Sequence, residues 1–129
     1  MRNFIISALV LLLCILSYLF IGKQTVSVID AHYDGSTAQI IVNRLPITES
    51  GKIDWWRDHQ QKILEKYNIP SGNKRPFLIT VYAFGDGYKE EGKEDRRCFT
   101  DIKPPKNCID KNILMMIWRT RDGSVKYQF

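Results

Sequence analysis

Cysteine and histidine, the residues that most often build zinc sites, are scarce in this chain, which has three Cys and two His among 129 residues. No C-x-x-C or H-x-x-x-H pair occurs, although structural zinc sites take their ligands from such closely spaced pairs. The available ligands are widely separated along the chain: His32, His59, Cys98 and Cys108. We therefore expect no metal site of this class and no cofactor.

Catalytic motifs are also absent, since the chain has neither a G-x-S-x-G nor an H-E-x-x-H sequence. His32 lies between Asp30 and Asp34, and in a strand these three side chains share one face. Such a group is more often a surface cluster than a catalytic pair. His59, beside an aspartate on a predicted helix, is most simply a solvated residue. The sequence thus does not predict an enzyme.

Residues 87–94 read GYKEEGKE, which nearly matches the phosphate-binding motif G-x-x-x-x-G-K-[ST]. Glu94 stands where the motif needs a hydroxyl for magnesium, and Glu90 and Glu91 would repel phosphate. No helical pattern follows the loop to supply a helix N-terminus. Nucleotide binding is therefore not expected. The acidic residues between 86 and 95 leave a weak calcium site open as an alternative, although the spacing of an EF-hand is absent.

The formal net charge of the chain is +5, but its basic and acidic residues alternate closely, as in KEEGKEDRR. Nucleic-acid interfaces need a continuous basic stripe, whereas mixed charges usually form a solvated surface. We therefore expect no nucleic-acid partner.

A long apolar run without a charged residue occupies residues 4–21. As a helix it would extend roughly 27 Å, close to the thickness of the hydrocarbon core of a bilayer. A cleaved signal peptide is the alternative, but no small-residue cleavage site follows the run. We predict a transmembrane anchor in residues 1–22. With Arg2 before the run and only Lys23 close behind it, we expect the N-terminus in the cytoplasm and the remaining domain in the periplasm.

Residues 23–129 are enough for one domain, and their patterns predict an α+β fold. Strands are expected at 25–33 and 37–43 around an Asp34-Gly35 turn, then at 77–84, 113–118 and 124–129. Residues 88–111 are charged and predicted to be irregular. The expected fold is thus a mainly antiparallel sheet of about five strands whose last strand lies at an edge.

One amphipathic helix is predicted between Pro46 and Pro70, capped by Thr48 or Ser50 and ending near residue 68. Its apolar residues form a single stripe at helical spacing. The stripe consists of Ile53, Trp56, Ile63, Leu64 and Tyr67.

Two of the three cysteines, Cys98 and Cys108, lie in the folded part and are separated by FTDIKPPKN. In an oxidising compartment such a pair is expected to form a disulfide. Two free thiols in a cytosolic domain are the alternative if the predicted orientation is wrong. Cys14 lies within the anchor and is expected to be a small apolar filler.

Three stretches together resemble an enterobacterial family of membrane proteins of unknown function: GKIDWWRDH with KYNIP downstream, FGDGYKEEGKEDRRCF, and KNCIDKN. The resemblance extends over nearly the whole chain and implies a single-pass inner-membrane protein with a small exported domain. It assigns no catalytic residue. Members of the family often continue past a final strand like YQF, which leaves open whether the last strand of this sheet is complete.

These observations favour a membrane-anchored periplasmic domain that acts by binding a protein. The more specific hypothesis is an immunity protein that neutralises an envelope-targeting toxin. An accessory protein that associates with resident envelope proteins is the alternative. Trp55 lies off the apolar stripe of the helix, so we expect it to be exposed as an interface anchor, or else packed under a loop or at the bilayer interface. Tyr88, Arg96 and Arg97 are the other candidate partner-binding residues.

Overall fold

The computed structural model of the chain describes residues 1–22 and 25–129, without the side chains of residues 19–22. The described part contains two α-helices and seven strands. The helices are α1 (Arg2–Gly22) and α2 (Glu49–Lys66), and the strands are β1 (Val28–Tyr33), β2 (Thr37–Val42), β3 (Leu78–Ala83), β4 (Arg96–Cys98), β5 (Cys108–Asp110), β6 (Ile113–Arg119) and β7 (Val125–Gln128).

Helix α1 covers the apolar run that the sequence predicts to be an anchor. Within residues 1–22 and 25–129, no helix combines the length and the hydropathy needed to cross a membrane. Lys23, the basic residue predicted to follow the span, lies outside the described residues. The predicted domain boundary between residues 22 and 23 also lies at the edge of the described residues.

Five strands form the main sheet, in the order β1-β2-β3-β6-β7. Strands β2 and β3 are parallel, and the other three neighbouring pairs are antiparallel. The predicted α+β fold with a mainly antiparallel five-stranded sheet is therefore confirmed, and β7 lies at an edge as expected. The parallel pair arises because α2 connects β2 to β3 and returns the chain to the same end of the sheet.

The boundaries of α2 follow from local chemistry at each end. Thr48 is the N-cap, and its hydroxyl accepts a hydrogen bond of 3.0 Å from the backbone N–H of Gly51. A Cβ atom at Gly51 would lie 2.8 Å from the Thr48 hydroxyl oxygen and 2.9 Å from Cβ of Pro46, so the cap needs a glycine there. At the other end Asn68 has a φ of 55°, a left-handed conformation that ends the helix.

The main hydrophobic core lies between α2 and one face of the sheet. Because side chains alternate along a strand, every second residue of β2, β3 and β6 points toward the helix. The buried members of this core are Ala38, Ile40, Val42, Trp55, Trp56, Ile63, Leu64, Ile69, Ile79, Val81, Met115 and Ile117.

Of the two interpretations of Trp55, exposure as an interface anchor is wrong, because its side chain is only 8% exposed and packs within the domain as part of the core. Its ring contacts the ring of Trp56 at a centroid distance of 6.3 Å and stacks on His59 at 5.7 Å. Helix α2 therefore buries both Trp55 and Trp56, so its apolar face is wider than the stripe predicted from the sequence. His59 itself is exposed, as predicted.

The opposite face of the sheet is covered by residues 84–111, which we call the strap. The sequence predicts this segment to be irregular, but it contains a short antiparallel pair, β4 and β5, in which Arg97 faces Ile109. Cys98 faces Cys108 in the same pair, and the two are joined by the predicted disulfide. The cross-link thus holds the two strands of the strap together.

Only a small apolar cluster attaches the strap to the sheet. Its buried members are Ile41 and Tyr82 from the sheet and Phe99 and Ile109 from the strap, with three partly buried side chains of the strap packed against them: Phe84, Tyr88 and Ile102. Because this cluster is much smaller than the core beneath α2, polar contacts carry a larger share of the attachment.

We predict that Trp55→Ala lowers the free energy of unfolding by about 3–5 kcal/mol, the usual cost of emptying a buried tryptophan site. Trp55→Phe keeps a ring in the core and should cost clearly less. Urea unfolding of the full chain in a non-ionic detergent, followed by circular dichroism, measures both. Unchanged stability of Trp55→Ala would contradict the placement of Trp55 in the core.

Candidate functional site

His32 lies in β1 on the face of the sheet that the strap covers. Its side chain is only 5% exposed. The prediction of a surface cluster around His32 is therefore wrong, because the strap buries the imidazole. Its ring stacks on Phe99 of the strap at a centroid distance of 3.9 Å and an interplanar angle of 18°.

Both ring nitrogens of His32 have hydrogen-bond partners. Nδ1 lies 2.6 Å from Oδ2 of Asp101, and Nε2 lies 3.0 Å from the hydroxyl oxygen of Tyr88. The Tyr88 hydroxyl donates in turn to Oδ2 of Asp30, which lies 3.4 Å from Nε2 of His32. We call these four residues the histidine cluster; two come from β1 and two from the strap.

The hydrogen bonds define the structural role of the histidine cluster. Nδ1 of His32 contacts the carboxylate of Asp101 and Nε2 contacts the phenol of Tyr88, so each ring nitrogen links β1 to a residue of the strap. The cluster therefore fastens the strap to β1.

Tyr88 is the central residue of this arrangement. Its ring packs edge-on against Phe84 at 5.3 Å and against Phe99 at 6.4 Å. Burial, followed by the hydrogen bond to Asp30 and the charges of Asp30 and Asp101, raises the pKa of Tyr88 well above its ordinary value of 10.0. The phenol therefore stays protonated and donates its hydrogen bond throughout the physiological range.

Asp34, the third residue of the predicted D-x-H-x-D group, does not join the histidine cluster. Its carboxylate closes the β1–β2 turn by accepting hydrogen bonds from the backbone N–H groups of Thr37, at 2.7 Å, and Ser36, at 2.9 Å. These hydrogen bonds lower the pKa of Asp34. The residue therefore has a structural role in the hairpin.

A hollow of about 250 Å³ opens beside the histidine cluster. Its lining residues come from β1, β2 and the strap: His32, Tyr33, Asp34, Gln39, Arg97, Cys98, Phe99, Thr100 and Asp101. The guanidinium of Arg97 lies over the Phe99 ring, with Cζ 5.6 Å from the ring centroid. Among the described residues, Arg97 forms no salt bridge and no side-chain hydrogen bond.

Arg96, the neighbouring candidate, is committed to contacts within the strap. Its Nε donates to Asp110 at 3.0 Å, and its other nitrogens contact the backbone carbonyl of Glu90 and the carboxylate of Glu94. Lys89 also pairs with Asp110, at 2.9 Å, and the two cations lower the pKa of that carboxyl group. The structure thus brings Arg97 to the hollow and Tyr88 to the histidine cluster beside it. Arg96 stays within the strap, and Trp55 lies on the opposite face.

Three of the five acidic residues between 86 and 95 are paired with cations, namely Asp86, Glu94 and Asp95. Asp86 contacts Lys89 at 3.2 Å, and Asp95 contacts Lys111 at 2.8 Å. Throughout the described part of the chain, no group of three or more His, Cys, Asp or Glu residues is arranged to hold a metal ion.

Asp101, Phe99 and Gln39 are part of this site but were not identified from the sequence. Asp101 lies 69 residues from His32 along the chain, and no local pattern connects the two. Gln39 is only 5% exposed and faces His32 across the β1–β2 pair. A buried glutamine in an otherwise apolar strand, TAQIIV, is the one local sign that this face of β2 meets polar groups.

Comparison with known proteins gives one match. The family model described as enterobacterial putative membrane protein (DUF943) matches residues 1–129, in agreement with the resemblance seen in the sequence. No curated protein and no solved structure matches the chain.

We predict that Tyr88→Phe lowers the free energy of unfolding by about 1–3 kcal/mol near neutral pH, because Asp30 and His32 each lose a buried partner. Since the pKa of Tyr88 is raised in the folded state, the unfolded chain loses this proton first as the pH rises above 10.0. Stability should therefore fall in that range, and less steeply in Tyr88→Phe. Urea titrations at about pH 8 and about pH 11 measure both effects.

Tyr33→Phe, which removes an exposed hydroxyl that donates to the Gly35 carbonyl, is the control. Its stability should fall at alkaline pH as steeply as that of the unaltered chain. Tyr82 and Lys89 also have raised pKa values, so part of the loss remains in every variant. Identical alkaline slopes for Tyr88→Phe and the unaltered chain would contradict the role given to Tyr88.

Proposed function

The chain belongs to the DUF943 family of enterobacterial putative membrane proteins, and from this premise we propose that it is a single-pass membrane protein whose folded domain binds another protein. The described side chains of α1 support the anchor. Phe4, Leu11 and Leu13 are each at least 62% exposed, which in water would be an unfavourable apolar surface. A lipid bilayer around residues 4–21 removes this surface from water.

The cysteine pair supports a location of the domain outside the cytoplasm. Disulfides form and persist in the periplasm, whereas the cytosol keeps thiols reduced. Cys98 and Cys108 are bonded in the structure. Together with Arg2 before the apolar run, this bond favours a cytoplasmic N-terminus and a periplasmic domain.

Arg97 is the observation that carries the proposal of protein binding. It lies at a hollow that also contains the carboxylates of Asp34 and Asp101, and its own guanidinium has no ionic partner in the described residues. Arginine is enriched among the residues that dominate protein interfaces, because its planar group stacks and forms several hydrogen bonds at once.

The strap holds this surface in one conformation before any partner arrives. The disulfide, the histidine cluster and the ion pairs of Arg96 all restrict the segment that carries Arg97. A restricted binding segment loses less conformational entropy on association. The sharper form of the proposal is an immunity protein that captures an envelope-targeting toxin at the periplasmic face of the membrane; the alternative is an accessory role with resident envelope proteins.

We expect alkaline phosphatase fused after Phe129 to be active in cells, because this reporter needs the oxidising periplasm to form its own disulfides. Green fluorescent protein fused at the same position by the same export route should be dark. Measuring both in one strain gives the orientation. An inactive phosphatase together with a bright fluorescent fusion would place the domain in the cytoplasm and contradict the proposal.

For the binding surface, we predict that Arg97→Ala abolishes capture of the partner when the intact chain is purified from gently solubilised membranes. Lys103→Ala, which removes an exposed cation from the same strap, is the matched control and should retain it. Mass spectrometry identifies the captured proteins. Arg97 is partly exposed and contributes no salt bridge to the fold, so the variant should keep the circular dichroism of the unaltered chain.

The identity of the captured protein distinguishes the two forms of the proposal. A single secreted toxin that is lost only with Arg97→Ala supports the immunity form, and resident envelope proteins lost in the same way support the accessory form. A set of captured proteins that is the same for both variants would overturn binding at this surface.

A further inference from the structure

A second surface lies on the other side of the sheet, between α2, the residues after α2, and strands β6 and β7. Two adjoining hollows of about 320 Å³ and about 380 Å³ share Arg75 and Arg119 in their linings. We call this surface the arginine groove. Its lining includes Arg57 and Arg121, with Trp56, Leu64, Trp118 and Tyr127 between the arginines.

The charge of the arginine groove is of one sign. Four arginines line it, and neither hollow is lined by an aspartate or a glutamate. The adjacent carboxylate, Asp122, accepts hydrogen bonds from Thr120 and from both the backbone and the hydroxyl of Ser124. These bonds lower the pKa of Asp122 to about 2 and hold its carboxylate within the β6–β7 turn. This arrangement differs from the strap, where acids and bases alternate and pair.

Two of the four arginines are held in place by backbone carbonyls. Arg75 donates to the carbonyl of Gly123 at 3.2 Å, and Arg119 donates to the carbonyl of Asn73 at 2.6 Å. Each guanidinium has five N–H donors, so most of them remain for a ligand. Arg57 and Arg121 have no ionic partner among the described residues. The groove thus gathers four cations, none of which has a counter-ion in the part of the chain that the structure describes.

The register of the sheet shows where the arginine groove lies along the strands. Val28, the first strand residue after α1, pairs with Val42, which pairs in turn with Ala83 at the end of β3. Trp118, in the groove, pairs with Leu78 at the start of β3. One strand length, roughly 17 Å, therefore separates the groove from the end where the chain arrives from α1. With α1 in the membrane as proposed, this position favours a soluble ligand over a lipid headgroup.

We propose that the arginine groove binds an acidic segment of a partner protein, one in which carboxylates alternate with apolar side chains. Guanidinium groups bind carboxylates through two parallel hydrogen bonds, which fixes geometry as well as charge. The lining between the arginines is aromatic and aliphatic, so it suits apolar side chains in the same segment. This surface is separate from the one at Arg97, and the proposal does not depend on the function assigned there.

The test uses the full chain in a non-ionic detergent and a fluorescent peptide of alternating glutamate and tyrosine, about six residues long, the usual length of a strand. Its counterpart carries glutamine in place of glutamate. The variant Arg57→Gln with Arg121→Gln removes the two arginines of the groove that form no salt bridge or side-chain hydrogen bond among the described residues. The variant Lys62→Gln with Lys126→Gln removes one exposed cation each from α2 and β7, outside the groove lining, and is the matched control.

Fluorescence anisotropy should show binding of the glutamate peptide and much weaker binding of the glutamine peptide. An exposed ion pair changes affinity about threefold, so loss of two pairs in the arginine variant should weaken peptide binding about tenfold. The lysine variant should weaken it about twofold at most. Arg97→Ala should leave this affinity unchanged, which keeps the two surfaces experimentally distinct.

Three results would overturn the proposal. Equal weakening by the arginine and lysine variants would mean a response to net charge alone. Binding of phosphatidylglycerol vesicles that only the arginine variant loses, with no binding of the peptide, would assign the groove to lipid phosphates. Self-association of the chain that the arginine variant abolishes, again without peptide binding, would assign it to a second copy.

Discussion

The parallel pairing of β2 and β3 at the centre of the sheet is the constraint on which the rest of the structure depends. Both strands carry buried residues on both faces: Ile40 and Ile41 in β2, Val81 and Tyr82 in β3. A parallel pair of this kind is stable only when both faces are covered. Helix α2 lies in the crossover that makes β2 and β3 parallel, and it covers one face of the sheet. The other face has to be covered by a different segment.

The strap meets this need with few apolar side chains. Phe99 and Ile109 supply its buried contact with the sheet. The remaining attachment comes from the cross-link between its two strands and from hydrogen bonds between His32 and Tyr88 or Asp101. Breaking a buried polar network costs more than a surface contact would, because each lost partner leaves a desolvated group. A polar attachment also brings charged groups next to the hollow at Arg97.

The sequence predicts most of the secondary structure because local patterns determine it. Alternation along β1, the apolar runs of β3 and β6, the turn at Asp34-Gly35 and the cap at Thr48 all act within a few residues. The parallel register between β2 and β3 depends on a crossover of more than thirty residues, and no local pattern encodes it. The burial of Trp55 is not encoded locally for a related reason. Whether a residue beside the apolar stripe of a helix is buried depends on how wide a face of the sheet packs against that helix.

The histidine cluster is the clearest case of information that the sequence does not show. Asp30 and His32 stand two residues apart and are easily recognised, but their environment is set by Tyr88 and Asp101, which arrive from the strap. If Asp30 and His32 were exposed, they would form an ordinary surface cluster. Because the strap covers them, their hydrogen bonds connect β1 to the strap.

The sheet thus presents a different kind of surface on each side. On the strap side, Lys89 and Arg96 pair with Asp110 and Arg97 forms no salt bridge among the described residues, whereas the described lining of the arginine groove contains no acid. The two surfaces share no lining residue, and the buried central strands lie between them. Substitutions at distant sites without common partners act almost independently. Substitutions in one of the two proposed surfaces should therefore leave the other to be measured alone.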